Sequence, residues 1–85
     1  MKIIFSKHAE IEMEKRKIER SYLMGAIKNT GQKTEKSGKL IYQSKYFDKK
    51  LGKEMLLRIF AKEDIKGLKI ITLYKTSKIN KYWKV

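Results

Sequence analysis

Glu54-Met55-Leu56-Leu57-Arg58-Ile59-Phe60-Ala61-Lys62 is the stretch that decides the fold. Its side chains alternate at the two-residue period of an extended chain. Met55, Leu57, Ile59 and Ala61 fall on one face, and Leu56, Arg58 and Phe60 on the other. Both faces are largely apolar, which predicts a central strand covered on each side. Leu68 to Lys75 reads as a second strand beyond a turn at Glu63 to Gly67. Upstream, Gln32 to Lys36 and Lys39 to Phe47 read as a hairpin around Ser37-Gly38, followed by a loop containing Gly52.

The period changes before Gly31. Ser6 is the expected N-cap of a helix from Lys7 to about Lys17, with Phe5, Ala9, Met13 and Arg16 on one side and Ile11 out of pattern. A second helix is expected from about Ser21 to Asn29, with Leu23, Ala26 and Ile27 as its apolar stripe. Met1 to Phe5 alternates weakly, as a short edge strand would. The expected class is α+β, with two N-terminal helices packed on an antiparallel sheet of about four strands in one domain, 1–85. The residues after Thr76 read equally as loop, short helical turn or tail.

Composition narrows the chemistry. The chain has 85 residues, no cysteine and no proline. Disulfides, thiolate catalysis and cysteine zinc sites are therefore excluded. Its longest apolar runs are too short to span a bilayer, and Met1 to Phe5 has no apolar core of a secretion signal. A cytoplasmic protein without a membrane partner is the expectation. Twenty-two Lys and Arg against nine Asp and Glu give a net charge of +13. From Ile65 onward there are six lysines and no acidic residue. Nucleic acid, an anionic membrane or an acidic protein would each supply the counter-charge, and solubility or a lysine bias is the plainer account. The closing run of lysines, hydroxyls and aromatics favours nucleic acid.

His8 is the only histidine. With Glu12 it offers at most two metal ligands, fewer than a catalytic site needs, so neither metal nor cofactor is expected. Arg16 reads as an inward guanidinium with no carboxylate close in sequence, calling for an anion, a carbonyl or a cleft, or simply covering core surface with its stem. Arg58 lies mid-strand, where a buried pair with Glu12 or Glu35 competes with a functional role. Tyr74 and Tyr82 can stack bases or pack on the sheet. Thr76 and Ser77 can donate to phosphate or cap a turn. No nucleophile motif or phosphate-cradling loop is present. Metal-free RNA cleavage fits this inventory, because the substrate's own 2′-OH is the nucleophile. His8 and Tyr74 are then the candidates for proton transfer, and Arg58 is the candidate transition-state cation. Arg16, Lys75, Thr76, Ser77, Lys78, Lys81 and Tyr82 would hold the RNA.

Phe5-Ser6-Lys7-His8-Ala9, continuing through Met13, Arg16 and Ile18, resembles the F-[ST]-x-H-A-x3-M-x2-R-x-I opening of a prokaryotic domain family of unknown function. Leu57-Arg58-Ile59 resembles that family's L-R-V strand. Ile71-Thr72-Leu73-Tyr74-Lys75-Thr76-Ser77-Lys78, with Lys81-Tyr82, resembles its closing I-T-V-Y-x-T-S-K…K-Y. The family is grouped with RelE/ParE-like toxins. The resemblance implies a curved sheet under two N-terminal helices and a ribonuclease toxin acting on RNA, including ribosome-bound messenger RNA. It also implies an acidic antitoxin as partner. ParE-like relatives inhibit gyrase without cutting RNA, so a non-catalytic binding or inhibitory module is the alternative, as is an interaction module for an acidic protein. Thr30-Gly31 stands where the family commonly has a proline.

Overall fold

The computed structural model describes residues 2–84; Met1, where the expected edge strand begins, and Val85 lie outside them. The elements in chain order are β1 (Ile3–Phe5), α1 (Lys7–Lys15), α2 (Arg20–Lys28), β2 (Gln32–Lys36), β3 (Lys39–Asp48), β4 (Lys53–Asp64), β5 (Gly67–Thr76) and α3 (Ile79–Tyr82). The sheet has five strands in the order β1-β5-β4-β3-β2. The expectation of two N-terminal helices on a four-stranded antiparallel sheet is therefore corrected. The first strand is a member of the sheet, it pairs parallel with β5, and a third helix closes the chain.

Three residues, Ile3 to Phe5, make that parallel edge, in register with Leu68 to Ile70. So short a run carries little pattern of its own, and the tertiary pairing makes it a strand. Gly67 permits the approach: its φ is +140°, and a Cβ there would lie 2.2 Å from the Lys2 carbonyl oxygen. The ladder continues into the first helix. Ser6 N donates to Ile70 O at 3.0 Å, and the Ser6 hydroxyl accepts from Ala9 N as the N-cap of α1. A bulge pairs Phe60 with Thr72 but Ala61 with Ile70, leaving Ile71 outside the ladder. Its carbonyl accepts the Ser6 hydroxyl at 2.8 Å, so the bulge anchors the start of α1.

α1 ends sooner than its pattern predicts. Lys17 adopts φ +55°, Ile18 N donates to Met13 O and Lys17 N to Glu14 O, the two bonds of a Schellman stop. Ile18 then turns back into the core beside Met13. At the β2–β3 hairpin, Ser37 and Gly38 have φ of +51° and +78°, the positive pair that a two-residue type I′ turn requires.

The core lies between the helix pair and one sheet face. Ala9, Met13, Ile18, Leu23 and Ile27 meet Leu40, Tyr42, Leu57, Ile59, Ala61, Leu68, Ile70 and Leu73. α1 runs along β5 and α2 lies against β3. The bulge lets Ile70 and Leu73 share this face despite their odd spacing. Truncating a fully buried leucine such as Leu57 to alanine costs on the order of 2–5 kcal/mol. Among the described residues no helix is long and apolar enough to cross a membrane.

Candidate nucleic-acid interface

The alternation that sends Leu57 and Ile59 into the core sends Arg58 to the opposite face. Register then sets Gln43, Arg58 and Tyr74 side by side across β3, β4 and β5. Arg58 Nε donates to Gln43 Oε1 at 2.7 Å, and Nη1 donates to the Tyr74 hydroxyl. Gln43 is only 2% exposed, yet its amide is fully engaged. Its Nε2 donates to Gln32 Oε1 at 3.0 Å and to the Tyr82 carbonyl at 3.2 Å. With an acceptor on one side and donors on the other, Gln43 fixes the plane of the guanidinium.

The C-terminal segment folds back across this face. Thr76 Oγ1 accepts from Lys78 N at 3.1 Å, turning the chain at the end of β5 into α3. Trp83 packs against Gly31, where a Cβ would lie 2.6 Å from its ring. Lys84 N donates to Gln32 Oε1 at 3.1 Å, and Gln32 Nε2 donates to the Lys84 carbonyl. Tyr82 is thereby laid over Arg58, with the guanidinium carbon 4.0 Å from its ring centroid. Phe60 and Tyr74 complete the aromatic surround at 5.2 and 5.6 Å. Phe60 and Tyr74 stack at 5.9 Å, and Tyr82 meets Tyr74 edge-on. Lys81 lies over Tyr82 and Lys45 over Trp83, adding cations at the rim.

No carboxylate pairs with Arg58 among the described residues; the ion pairs are Lys15 and Arg16 with Glu12, and Arg20 with Glu10. The alternative of a buried pair between Arg58 and Glu12 or Glu35 is not found among the described residues. Arg58 Nη2 has no hydrogen-bond partner among the described residues. The two phenols differ. Burial raises Tyr74 above its ordinary pKa, against the lowering effect of Arg58. Tyr82 is held below its ordinary value by its hydrogen bond with the Tyr74 hydroxyl, helped by Lys81 and Arg58. Tyr82 is therefore the more acidic of the pair.

The structure unites Arg58, Tyr74, Tyr82 and Lys81 on this face, with Thr76, Ser77 and Lys78 in the turn that carries α3. The Thr76 hydroxyl oxygen accepts in that turn, and its proton is not engaged by it. The other candidates lie elsewhere. His8 is exposed in the first turn of α1, in the helix layer, and no hydrogen bond or ion pair joins it to Arg58. Arg16 is not unpartnered: Glu12, one turn earlier, accepts from its Nε at 3.1 Å. Lys75 points to the helix side, its Nζ 3.5 Å from the Arg16 carbonyl and over Tyr46. Gln43, the organiser of the network, was not a sequence candidate; its burial depends on the strand pairing, which leaves no local signal. Among the described residues no group of three His, Asp or Glu is arranged to hold a metal. No family model, curated protein or solved structure matches the chain. The arrangement offers an anion an oriented guanidinium, flanking π-faces and an acidified phenol.

Proposed function

We propose that the Arg58 face binds single-stranded RNA and cleaves it without metal. The observation that carries this reading is the guanidinium without a carboxylate, oriented by Gln43 and Tyr74 beneath Tyr82. A free guanidinium edge suits a phosphate, and Tyr82 and Trp83 suit stacked bases, each worth on the order of 1–3 kcal/mol. In the cleavage step the 2′-oxygen attacks phosphorus and gives its proton to Tyr82 in its ionised, phenolate form, which becomes the neutral phenol. The bond to the 5′-oxygen breaks, that oxygen takes a proton from Lys81, and Arg58 neutralises the charge gathered on the phosphorane. The expected products are a 2′,3′-cyclic phosphate and a 5′-hydroxyl. His8 has no part in this version of the chemistry.

Net charge and the family resemblance extend the proposal to the toxin of a toxin–antitoxin pair, acting in the cytoplasm on free or ribosome-bound messenger RNA and restrained by an acidic antitoxin. The test is incubation with RNA and with translating ribosomes in EDTA. Cyclic-phosphate ends that vanish in Arg58→Met support it; intact RNA in both assays rejects cleavage. The separation of His8 from Arg58 favours a second reading, binding or ParE-like inhibition without cleavage. There, RNA affinity falls with salt at a log–log slope of roughly −0.7 per phosphate while no ends appear.

A further inference from the structure

A second feature lies on the helix side of the sheet, away from Arg58. A cleft of about 680 Å³ opens between the α1–α2 connection and the ends of β3 and β5. Its apolar lining comes from Ile18, Tyr22, Tyr46 and Phe47. Tyr22 and Phe47 are 49% and 64% exposed, and Leu51, next in chain to the lining residue Lys50, is 58% exposed. Large apolar groups in contact with water at one place mark a surface that something covers. Five cations also line it, Arg16, Lys17, Lys49, Lys50 and Lys75, against the two acids Glu19 and Asp48. Arg16 is already paired with Glu12, which leaves four lysines against the two acids.

The geometry points to this cleft as the docking site of an acidic peptide segment that inserts an apolar side chain between Tyr22 and Phe47. The lysines supply long-range attraction and the aromatic pair supplies the anchor, the division of labour seen in helix-in-groove recognition. A nucleic-acid backbone fits less well, because Glu19 and Asp48 interrupt the positive lining where a phosphate track would need continuity. The lining also keeps a donor unmatched. The Tyr46 hydroxyl is buried without a hydrogen-bond partner among the described residues, beneath the surface that a docked segment would cover. This inference shares the expectation of an acidic partner with the functional reading above, but rests on a different surface.

The test uses the full chain, isotope-labelled, with two synthetic peptides of about fifteen residues and equal negative charge. One carries Leu and Phe at helical spacing, and the other carries Ser in their place. A single-stranded RNA of similar charge is the third probe. The Leu/Phe peptide is expected to bind, with amide shifts centred on Tyr22, Phe47 and Lys50. Phe47→Ser with Lys50→Glu should weaken it about tenfold, and Arg58→Met should not. Both substituted cleft residues are exposed, and circular dichroism confirms that the fold is retained. Equal binding of the Ser peptide would overturn the proposal, as would RNA shifts centred on the cleft or an unchanged affinity in the double variant. RNA binding lost in Arg58→Met but kept in the cleft variant would separate the two surfaces.

Discussion

Arg58 donates to the hydroxyl of Tyr74, its register neighbour on β5, and the pair stands without a carboxylate among the described residues. The guanidinium is therefore oriented by neutral groups, with no counter-charge paired to it among the described residues. A planar guanidinium oriented this way and free of an acid is the feature on which the proposed anion site rests.

Replacing Arg58 separates stability from binding. Arg58→Met leaves Gln43 Oε1 without its donor, so a loss of about 1–2 kcal/mol in denaturant unfolding is expected. Affinity for single-stranded RNA should fall by about tenfold or more, since a charge-assisted contact is removed. Arg58→Lys should not restore it, because an ammonium cannot serve Gln43 and a phosphate with one planar fork. Equal RNA affinity in all three proteins would remove Arg58 from the interface.

Tyr74→Phe deletes the hydrogen bond that holds the Tyr82 phenol below its ordinary pKa. Tyr82 should then titrate at higher pH, read from the ring carbon shifts of labelled tyrosine. If Tyr82 accepts the 2′-OH proton, the rising limb of the cleavage–pH profile moves up with it. A Tyr82 titration that ignores the substitution would show that the two phenols do not communicate.

Gly31→Ala strikes the C-terminal strap. Its Cβ would lie 2.6 Å from Trp83 Cη2 and 3.2 Å from the Gln43 carbonyl, so the indole must move. The only tryptophan is then a direct reporter, and a red-shifted emission with a loss of about 1–3 kcal/mol is expected. Gly25→Ala in α2, with nothing within 4 Å, should instead add about 0.5–1 kcal/mol.

Lys17 occupies the left-handed position of the α1 stop at φ +55°. Lys17→Gly should stabilise the fold by about 1 kcal/mol in urea titration, because glycine adopts that conformation without the steric cost of a Cβ. A destabilised variant would mean that Lys17 earns its place through its side chain.

Tyr46 has an alkaline signature. Burial, then Asp48 and Tyr22, push its phenol up to about 12 from 10.0. At neutral pH the folded and unfolded chains both keep this proton. Between pH 10 and about 12 the unfolded phenol loses it first, so stability falls across that window. Tyr46→Phe should flatten this part of the stability–pH curve and, by removing an unpartnered hydroxyl, raise neutral-pH stability by about 1 kcal/mol. An unaltered alkaline slope would place the cause elsewhere.

Local pattern made much of the fold readable. Alternation in Met55 to Ala61 identified β4, Ser37-Gly38 its neighbouring hairpin, and Ser6 the cap of α1. Three features were hidden because their cause is not local. Ile3 to Phe5 owes its place in the sheet to residues at the far end of the sequence. The apolar run Ile70 to Leu73 conceals a bulge, since either parity buries something apolar. Gln43 looks like any polar strand residue until Arg58 is placed beside it. Arg16 was misread for a simpler reason: Glu12 lies one helical turn away and outweighs a search for distant anions. Arg58, Tyr74 and Tyr82 were each visible in sequence, whereas their grouping needed the strap after Thr76.

The bond from Ser6 to Ile71 spans 65 residues. During synthesis the first strand must wait for Leu68 to Ile70 before its partner exists, and contacts so distant along the sequence slow closure of a sheet. The aromatic lid over Arg58 arrives later still. A nascent chain thus carries its unpaired guanidinium uncovered and its edge unsewn until Tyr82 has been made, so any activity of this face waits for the strap that follows Thr76.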